Sequence, residues 1–186
     1  MRKTIKRKQR RNKSHKKVRQ HGGARELITI GEIRRSITRD DFEICGYIDK
    51  TDRDKQYKEG HGEPKIEGGR GSCSSPDHTI IWHTHSHVSK YYPSLEDIKK
   101  VLKSSLVKES IIYTVYGFWI LSFDDKITFF GEDFDSDVSE ILDTFYFKTG
   151  SGREYNKAEI DKLISILTNY IEKELTRGFT ISWRDW

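Results

Sequence analysis

Residues 80–98 read IIWHTHSHVSKYYPSLEDI, and this stretch decides the fold. Ile80, Ile81 and Trp82 favour extended structure, and they open a strand that continues through the first histidines. After a short loop, apolar residues recur at helical spacing, with Ser94 at the start of the helix. A strand followed by a loop and a helix predicts a protein in which strands and helices interleave, of the α/β or α+β class.

The segments on either side extend this plan. Their apolar residues recur every second residue where a strand is predicted and every three or four residues where a helix is predicted. The predicted strands lie in DFEICGYID at 41–49, in two pieces of 110–123, in KITFFGED at 126–133 and in FTISW at 179–183, and a short strand and a helix share 26–40. Two further helices are predicted around 136–147 and across 160–175, and the polar, glycine-rich residues 51–76 predict a long loop.

The charge of the chain is concentrated at its N-terminus. The first 20 residues hold 11 of the 34 Lys and Arg and no acidic residue, so the remainder carries 23 basic and 29 acidic residues. A block of like charge repels itself and buries nothing, which predicts a disordered basic tail over residues 1–23 and one folded domain over 24–186. The tail could contact nucleic acid or another acidic partner through residues 1–20, or only solubilise the chain.

The histidines at 83, 85 and 87 occupy alternate positions. Two histidines at i and i+2 of a strand project from the same face, roughly 6.6 Å apart at the backbone, so that both rings can reach one metal ion. His83 and His85 form one such pair, and His85 and His87 form the other. A catalytic zinc takes three protein ligands and leaves one position open, so a third ligand has to come from elsewhere in the chain.

Asp97 is the candidate for the third ligand. Ser94 and Asp97 form an S-x-x-D pair in the first helical turn, a pattern that is also typical of a helix capping box. A zinc site that catalyses hydrolysis further requires a base that takes the proton from the attacking water, and a hydrogen-bond donor that stabilises the developing oxyanion. Glu43, on a separate predicted strand, is the candidate base, and the Ser94 hydroxyl is the candidate donor.

Taken in order, Glu43 in EICG, the histidines of HTH and the serine and aspartate of PSLED resemble the motif of the JAMM (MPN-plus) metalloprotease family. The resemblance covers about residues 24–130. It implies a JAB/MPN-like mixed β-sheet flanked by helices, with cytidine-deaminase-like layering and a C-terminal helical extension. It also implies one catalytic zinc ion and a zinc-dependent isopeptidase that cleaves ubiquitin or a ubiquitin-like modifier from lysine with zinc-activated water. Glu43 would be the general acid/base, and Ser94 would stabilise the oxyanion.

Two observations favour different histidine pairs. Ser94 follows His87 by seven residues and His85 by nine, and the family's usual spacing favours His85 and His87. The apolar residues directly before His83 favour His83 and His85, because a loop absorbs extra residues more easily than a strand absorbs a slipped register. We therefore predict His83, His85 and Asp97 as the ligands.

Two other functions fit the sequence less well: an MPN-type scaffold that has lost catalysis, and a RadC-like protein associated with nucleic acid. No apolar run approaches the ~18 residues of a membrane span, and no secretory signal is evident, so we expect an intracellular protein, cytoplasmic or nuclear. The Lys/Arg-dense N-terminus and the HTH and YPSLEDI segments also resemble proteins from large DNA viruses, so the virion or the host cell is a further expected location. The two cysteines, Cys45 and Cys73, form no CxxC motif, which indicates unrelated reduced thiols.

Overall fold

The computed structural model describes residues 26–39, 43–61, 78–85, 92–149, 157–175 and 177–186. These residues form a seven-stranded mixed sheet and four helices, so the predicted mixed α/β class is confirmed. The strands are β1 (Glu26–Ile28), β2 (Ile44–Ile48), β3 (Gln56–His61), β4 (Ile80–Thr84), β5 (Glu109–Tyr113), β6 (Gly117–Ser122) and β7 (Thr180–Asp185). The helices are α1 (Ile30–Arg39), α2 (Leu95–Lys103), α3 (Phe134–Thr149) and α4 (Lys157–Glu174).

The strand order across the sheet is β1-β3-β2-β4-β5-β6-β7. Strands β4 and β5 run parallel, whereas the other neighbouring pairs are antiparallel. A parallel pair requires a crossover connection, and here α2 supplies it. Helix α2 is therefore the next element along the chain after β4.

Each face of the sheet carries its own apolar cluster. Under α1, Ile33 and Ile37 pack with Ile44, Trp82 and Tyr113. On the opposite face, α2, α3 and α4 cover β5, β6 and β7, with residues that include Ile98, Leu102, Leu142, Leu167, Ile112, Trp119 and Leu121. Strands β2 and β4 lie in the interior of the sheet, with a neighbouring strand on each side, and are buried along their whole length.

Three local predictions are wrong. The loop predicted over 51–76 contains β3, which pairs with β2 through a turn closed by the Asp49 N–H···O=C Lys55 hydrogen bond. Its polar sequence QYKEGH does not show the apolar alternation typical of a strand, because β3 lies near the sheet edge and has little apolar surface to bury. Residues 126–133 are loop rather than strand, and Phe129 is 75% exposed. Helix α2 ends at Lys103, which leaves Leu106 outside it.

Cys45 is disulfide-bonded, so the expectation of a reduced thiol is wrong for this residue. Spacing in the sequence does not reveal such a bond, because it depends on the distance between two Cα atoms in the fold. Cys73, His87 and the basic tail over residues 1–23 lie outside the described residues. Among the residues that are described, no helix is long and apolar enough to cross a membrane.

Candidate metal centre

The side chains of β4 alternate between the two faces of the sheet. Trp82 joins the cluster under α1, where its indole N–H donates to the Tyr47 carbonyl at 3.2 Å. Because side chains alternate along a strand, His83 then projects to the opposite face, where α2 lies. His85 follows one residue after β4, but its N–H donates to the Tyr113 carbonyl at 2.8 Å. Extended geometry therefore continues to His85, and both imidazoles share one face.

Helix α2 brings Asp97 to the same place. His83, His85 and Asp97 are all buried, and their candidate ligand atoms lie within 4.8 Å of one another. His83 Nε2 is 3.3 Å from His85 Nε2 and 3.0 Å from Asp97 Oδ1, while His85 Nε2 is 3.5 Å from Asp97 Oδ2. Two residues from the end of a strand and one from the first turn of a helix thus converge on one buried point.

Ser94 fixes the direction of the Asp97 side chain. It is the N-cap of α2 and forms a complete capping box with Asp97. The Ser94 hydroxyl and backbone N–H donate to Asp97 Oδ2 at 2.6 and 2.8 Å, and the Asp97 N–H donates to Ser94 Oγ at 3.3 Å. Because Oδ2 already accepts two hydrogen bonds, Oδ1 is the oxygen that remains for a metal. The capping and ligand interpretations of S-x-x-D are compatible.

The surroundings of Asp97 favour its ionised form. Burial by itself raises the pKa of Asp97, but the charges and hydrogen bonds of His83 and His85 outweigh it and hold that pKa well below the usual value. The partial positive charge at the N-terminus of α2 also favours a carboxylate at this position. One turn further along α2, burial lowers the pKa of Lys100, although the negative charge of Asp97 opposes the shift. The lowered pKa therefore keeps this buried side chain ionised near neutral pH, the form in which a carboxylate can bind a metal.

The donor set fits zinc. Two imidazole nitrogens and one carboxylate oxygen are ligands found in catalytic zinc sites, with bond lengths of about 2.0–2.2 Å. In a tetrahedral site with such bonds, neighbouring ligand atoms lie about 3.3 Å apart. The separations of 3.3 Å between the two Nε2 atoms and 3.0 Å between His83 Nε2 and Asp97 Oδ1 are close to that value. The three protein ligands leave the fourth position for another group.

Glu43 directly precedes β2, the strand next to β4. The pairing of these strands ends with Cys45 opposite His83, and Glu43 lies two residues before Cys45 in the chain. The side chain of Glu43 is half-buried, and its neighbour Ile44 faces the cluster under α1. The structure thus brings His83, His85, Ser94 and Asp97 together, and it sets Glu43 at the start of the neighbouring strand.

Thr84 also lies at this strand end, although it has no signal in the sequence that distinguishes it from any other strand threonine. It is fully buried, and its side chain oxygen accepts a hydrogen bond from the Ile44 N–H at 2.9 Å. The contact joins the two strands that carry Glu43 and the histidines. Only the paired structure reveals it, because the partners are 40 residues apart in the chain.

Comparison of the chain with models of known protein families, with curated proteins and with solved structures found no match. The fold and the site define the protein as a mixed α/β protein with a candidate buried His-His-Asp metal centre.

Proposed function

We propose that the protein is a zinc-dependent metallopeptidase of the JAMM type, an isopeptidase that removes ubiquitin or a ubiquitin-like modifier from lysine. The observation that carries the proposal is the convergence of His83, His85 and Asp97 on one point at the end of β4 and the start of α2. The order of the motif residues along the chain, with Glu43 directly before the strand that pairs with β4, supports it.

In this proposal His83, His85 and Asp97 would hold the zinc ion. The ion, when bound, acts as a Lewis acid towards a water molecule and a carbonyl oxygen. Glu43 accepts the proton of the attacking water and passes it to the leaving lysine amine, as a general base and then a general acid. Its side chain is half-buried, and it directly precedes β2, the strand that pairs with β4.

Ser94 has two roles in the proposal. Its backbone N–H and hydroxyl orient Asp97, as their hydrogen bonds to Oδ2 indicate. As oxyanion stabiliser, the hydroxyl would turn from Oδ2 to the substrate oxygen while the N–H keeps Asp97 in place. The two roles differ in what a substitution changes: the first alters zinc affinity, and the second alters the rate of the bound enzyme.

The experiment combines metal analysis of the purified protein with cleavage of an isopeptide-linked ubiquitin dimer. We expect about one zinc ion per chain, loss of the ion in His85→Ala, and retention of the ion in Glu43→Gln with a fall in kcat of about 10²–10⁴-fold. Glu43→Gln is the matched control, since it keeps the size of the side chain and removes only its proton-accepting group. Protein without zinc, or cleavage that Glu43→Gln leaves unchanged, would contradict the mechanism.

The same experiment separates the alternatives. Stoichiometric zinc without cleavage of any ubiquitin conjugate would favour an MPN-type scaffold. Salt-dependent binding of nucleic acid that is lost on deletion of residues 1–20, together with no peptidase activity, would favour the RadC-like alternative.

A further inference from the structure

The Thr84 side chain joins β4 to the first residue of β2, next to Glu43 and the two histidines in the chain. The backbone register between β2 and β4 runs from Tyr47 opposite Ile81 to Cys45 opposite His83. One residue beyond this last pair, the Thr84 Oγ1 accepts the Ile44 N–H at 2.9 Å and donates to the Ile44 carbonyl at 3.4 Å. A hydroxyl thus extends the pairing of the strands by one residue.

This contact lies on the face of the sheet opposite the metal centre. Thr84 is the residue between His83 and His85, so alternation turns its side chain towards α1, where Ile44 is part of the apolar cluster. Both partners are buried, and Thr84 is fully inaccessible to solvent. Water therefore cannot replace the hydroxyl as the partner of the Ile44 N–H, so its removal leaves a buried donor without a partner.

The consequence falls on Glu43. The Ile44 N–H belongs to the peptide group that joins Glu43 to Ile44, so the Thr84 hydroxyl holds this peptide against the strand that carries both histidines. We propose that Thr84 is a positioning residue, which places the Glu43 carboxylate relative to the metal centre through the Ile44 backbone. The proposal rests on the proposed function for its effect on catalysis, and on the hydrogen bond alone for its effect on structure.

The test uses the full chain with zinc and the variants Thr84→Val, Thr84→Ser, Glu43→Gln and the double variant Thr84→Val/Glu43→Gln. Valine has the shape of threonine without the hydroxyl. We expect Thr84→Val to lower kcat/KM by about ten- to hundredfold, the effect of a small misplacement of a catalytic group, while zinc affinity stays within about twofold. Thr84→Ser keeps the hydroxyl and is expected to retain most of the activity. Amide hydrogen exchange by NMR is expected to be faster at Ile44 in Thr84→Val.

The double variant decides whether Thr84 acts through Glu43. If it does, Thr84→Val costs no further activity in the Glu43→Gln background, because the group that it positions has already lost its function. Thr180→Val is the matched control, since Thr180 shares a side-chain hydrogen bond with Ser122 in the same sheet, at an exposed position on β7. Its kcat/KM is expected to stay within about twofold of the wild type.

Four results would overturn the proposal. Two concern Thr84→Val alone: an unchanged amide exchange rate at Ile44, or a loss of zinc affinity as large as the loss of kcat/KM. The other two are an equal fall in kcat/KM caused by Thr84→Val in the wild type and in Glu43→Gln, and a Thr84→Ser variant as inactive as Thr84→Val. If the wild type hydrolyses no ubiquitin conjugate, the proposed function fails by itself. The exchange rate at Ile44 would in that case still decide whether the Thr84 hydroxyl holds this peptide.

Discussion

Replacing Ser94 with alanine tests how Asp97 is held in the metal centre. The substitution removes the hydroxyl that donates to Asp97 Oδ2 at 2.6 Å and accepts the Asp97 N–H at 3.3 Å. The backbone N–H of residue 94 can still donate to Oδ2, as it does at 2.8 Å in the wild type. The variant therefore weakens the support of the carboxylate without removing the ligand itself.

The expected loss of unfolding free energy in Ser94→Ala has two contributions. Loss of a serine N-cap costs about 1 kcal/mol, and loss of a hydrogen bond to a charged group costs about 1.5–3 kcal/mol. Both involve the same two side chains and overlap in part, so we expect the metal-free protein to lose about 2–3 kcal/mol of its free energy of unfolding. A hydrogen-bonded partner of a metal ligand typically contributes about 10–100-fold to metal affinity, and we expect a loss of that size for zinc.

Two measurements check these values. Urea unfolding of the chelator-treated protein, followed by tryptophan fluorescence, gives the stability, and competition with a chromophoric chelator gives the zinc affinity. Ser104→Ala is the matched control at the other end of α2. Ser104 Oγ accepts the N–H groups of Leu106 and Val107 at 3.2 and 2.8 Å, so this variant also loses end-of-helix hydrogen bonds. We expect a cost of about 1 kcal/mol there and no change in zinc affinity.

The reasoning is refuted if Ser94→Ala is no less stable than Ser104→Ala, or if it binds zinc as tightly as the wild type does. Unchanged zinc affinity together with a reduced kcat would assign the hydroxyl to the substrate oxyanion instead of to Asp97.

Three further predictions concern the strands and the ligands. Gly46→Ala is expected to lose about 2 kcal/mol or more of unfolding free energy in urea titration, because a Cβ there would lie 1.8 Å from a backbone carbonyl oxygen of β3. Gly131→Ala is the control, since no atom lies within 4 Å of its Cβ, and its unfolding free energy should be close to that of the wild type. The pKa of Asp97 is lower in the folded than in the unfolded state, so its charge stabilises the fold above the unfolded pKa of about 3.9, and this stability is lost as pH falls towards the folded value. Between about pH 5 and pH 2, the free energy of unfolding of the metal-free wild type should therefore fall more than that of Asp97→Asn. Equal slopes of unfolding free energy against pH for the two proteins would contradict this. His83→Ala is expected to release zinc and His87→Ala to retain it, as measured by metal analysis after gel filtration, and the reverse result would assign the ligand pair to His85 and His87.

The predictions made from the sequence succeeded where burial dictates the residue types. Strand β4 and helix α2 are flagged by apolar residues whose spacing matches one local geometry, and the chain follows it. The errors lie where the pattern carries less information. Strand β3 is polar and is stabilised by its pairing with β1 and β2, so its own residues do not reveal it. Residues 126–133 have strand-like composition, but Ile127 and Phe130 pack against the core on the helical side of the sheet, as the stacked pair of Phe130 and Phe134 shows, and Phe129 is exposed.

The convergence of His83, His85 and Asp97 could be predicted more fully than the edge strands, because these residues lie on or next to elements that the sequence marks clearly. His83 directly follows Trp82, and Trp82 is fixed by burial, by its hydrogen bond to Tyr47 and by an edge contact with Tyr113. Moving β4 by two residues would preserve the face of each histidine but would place Trp82 where the smaller Thr84 lies, against the backbone of Ile44. The large side chain on the opposite face of the sheet therefore sets the register of the ligands. The loop spacing carries less information, because a longer loop costs little free energy whereas a displaced tryptophan costs a large share of the core.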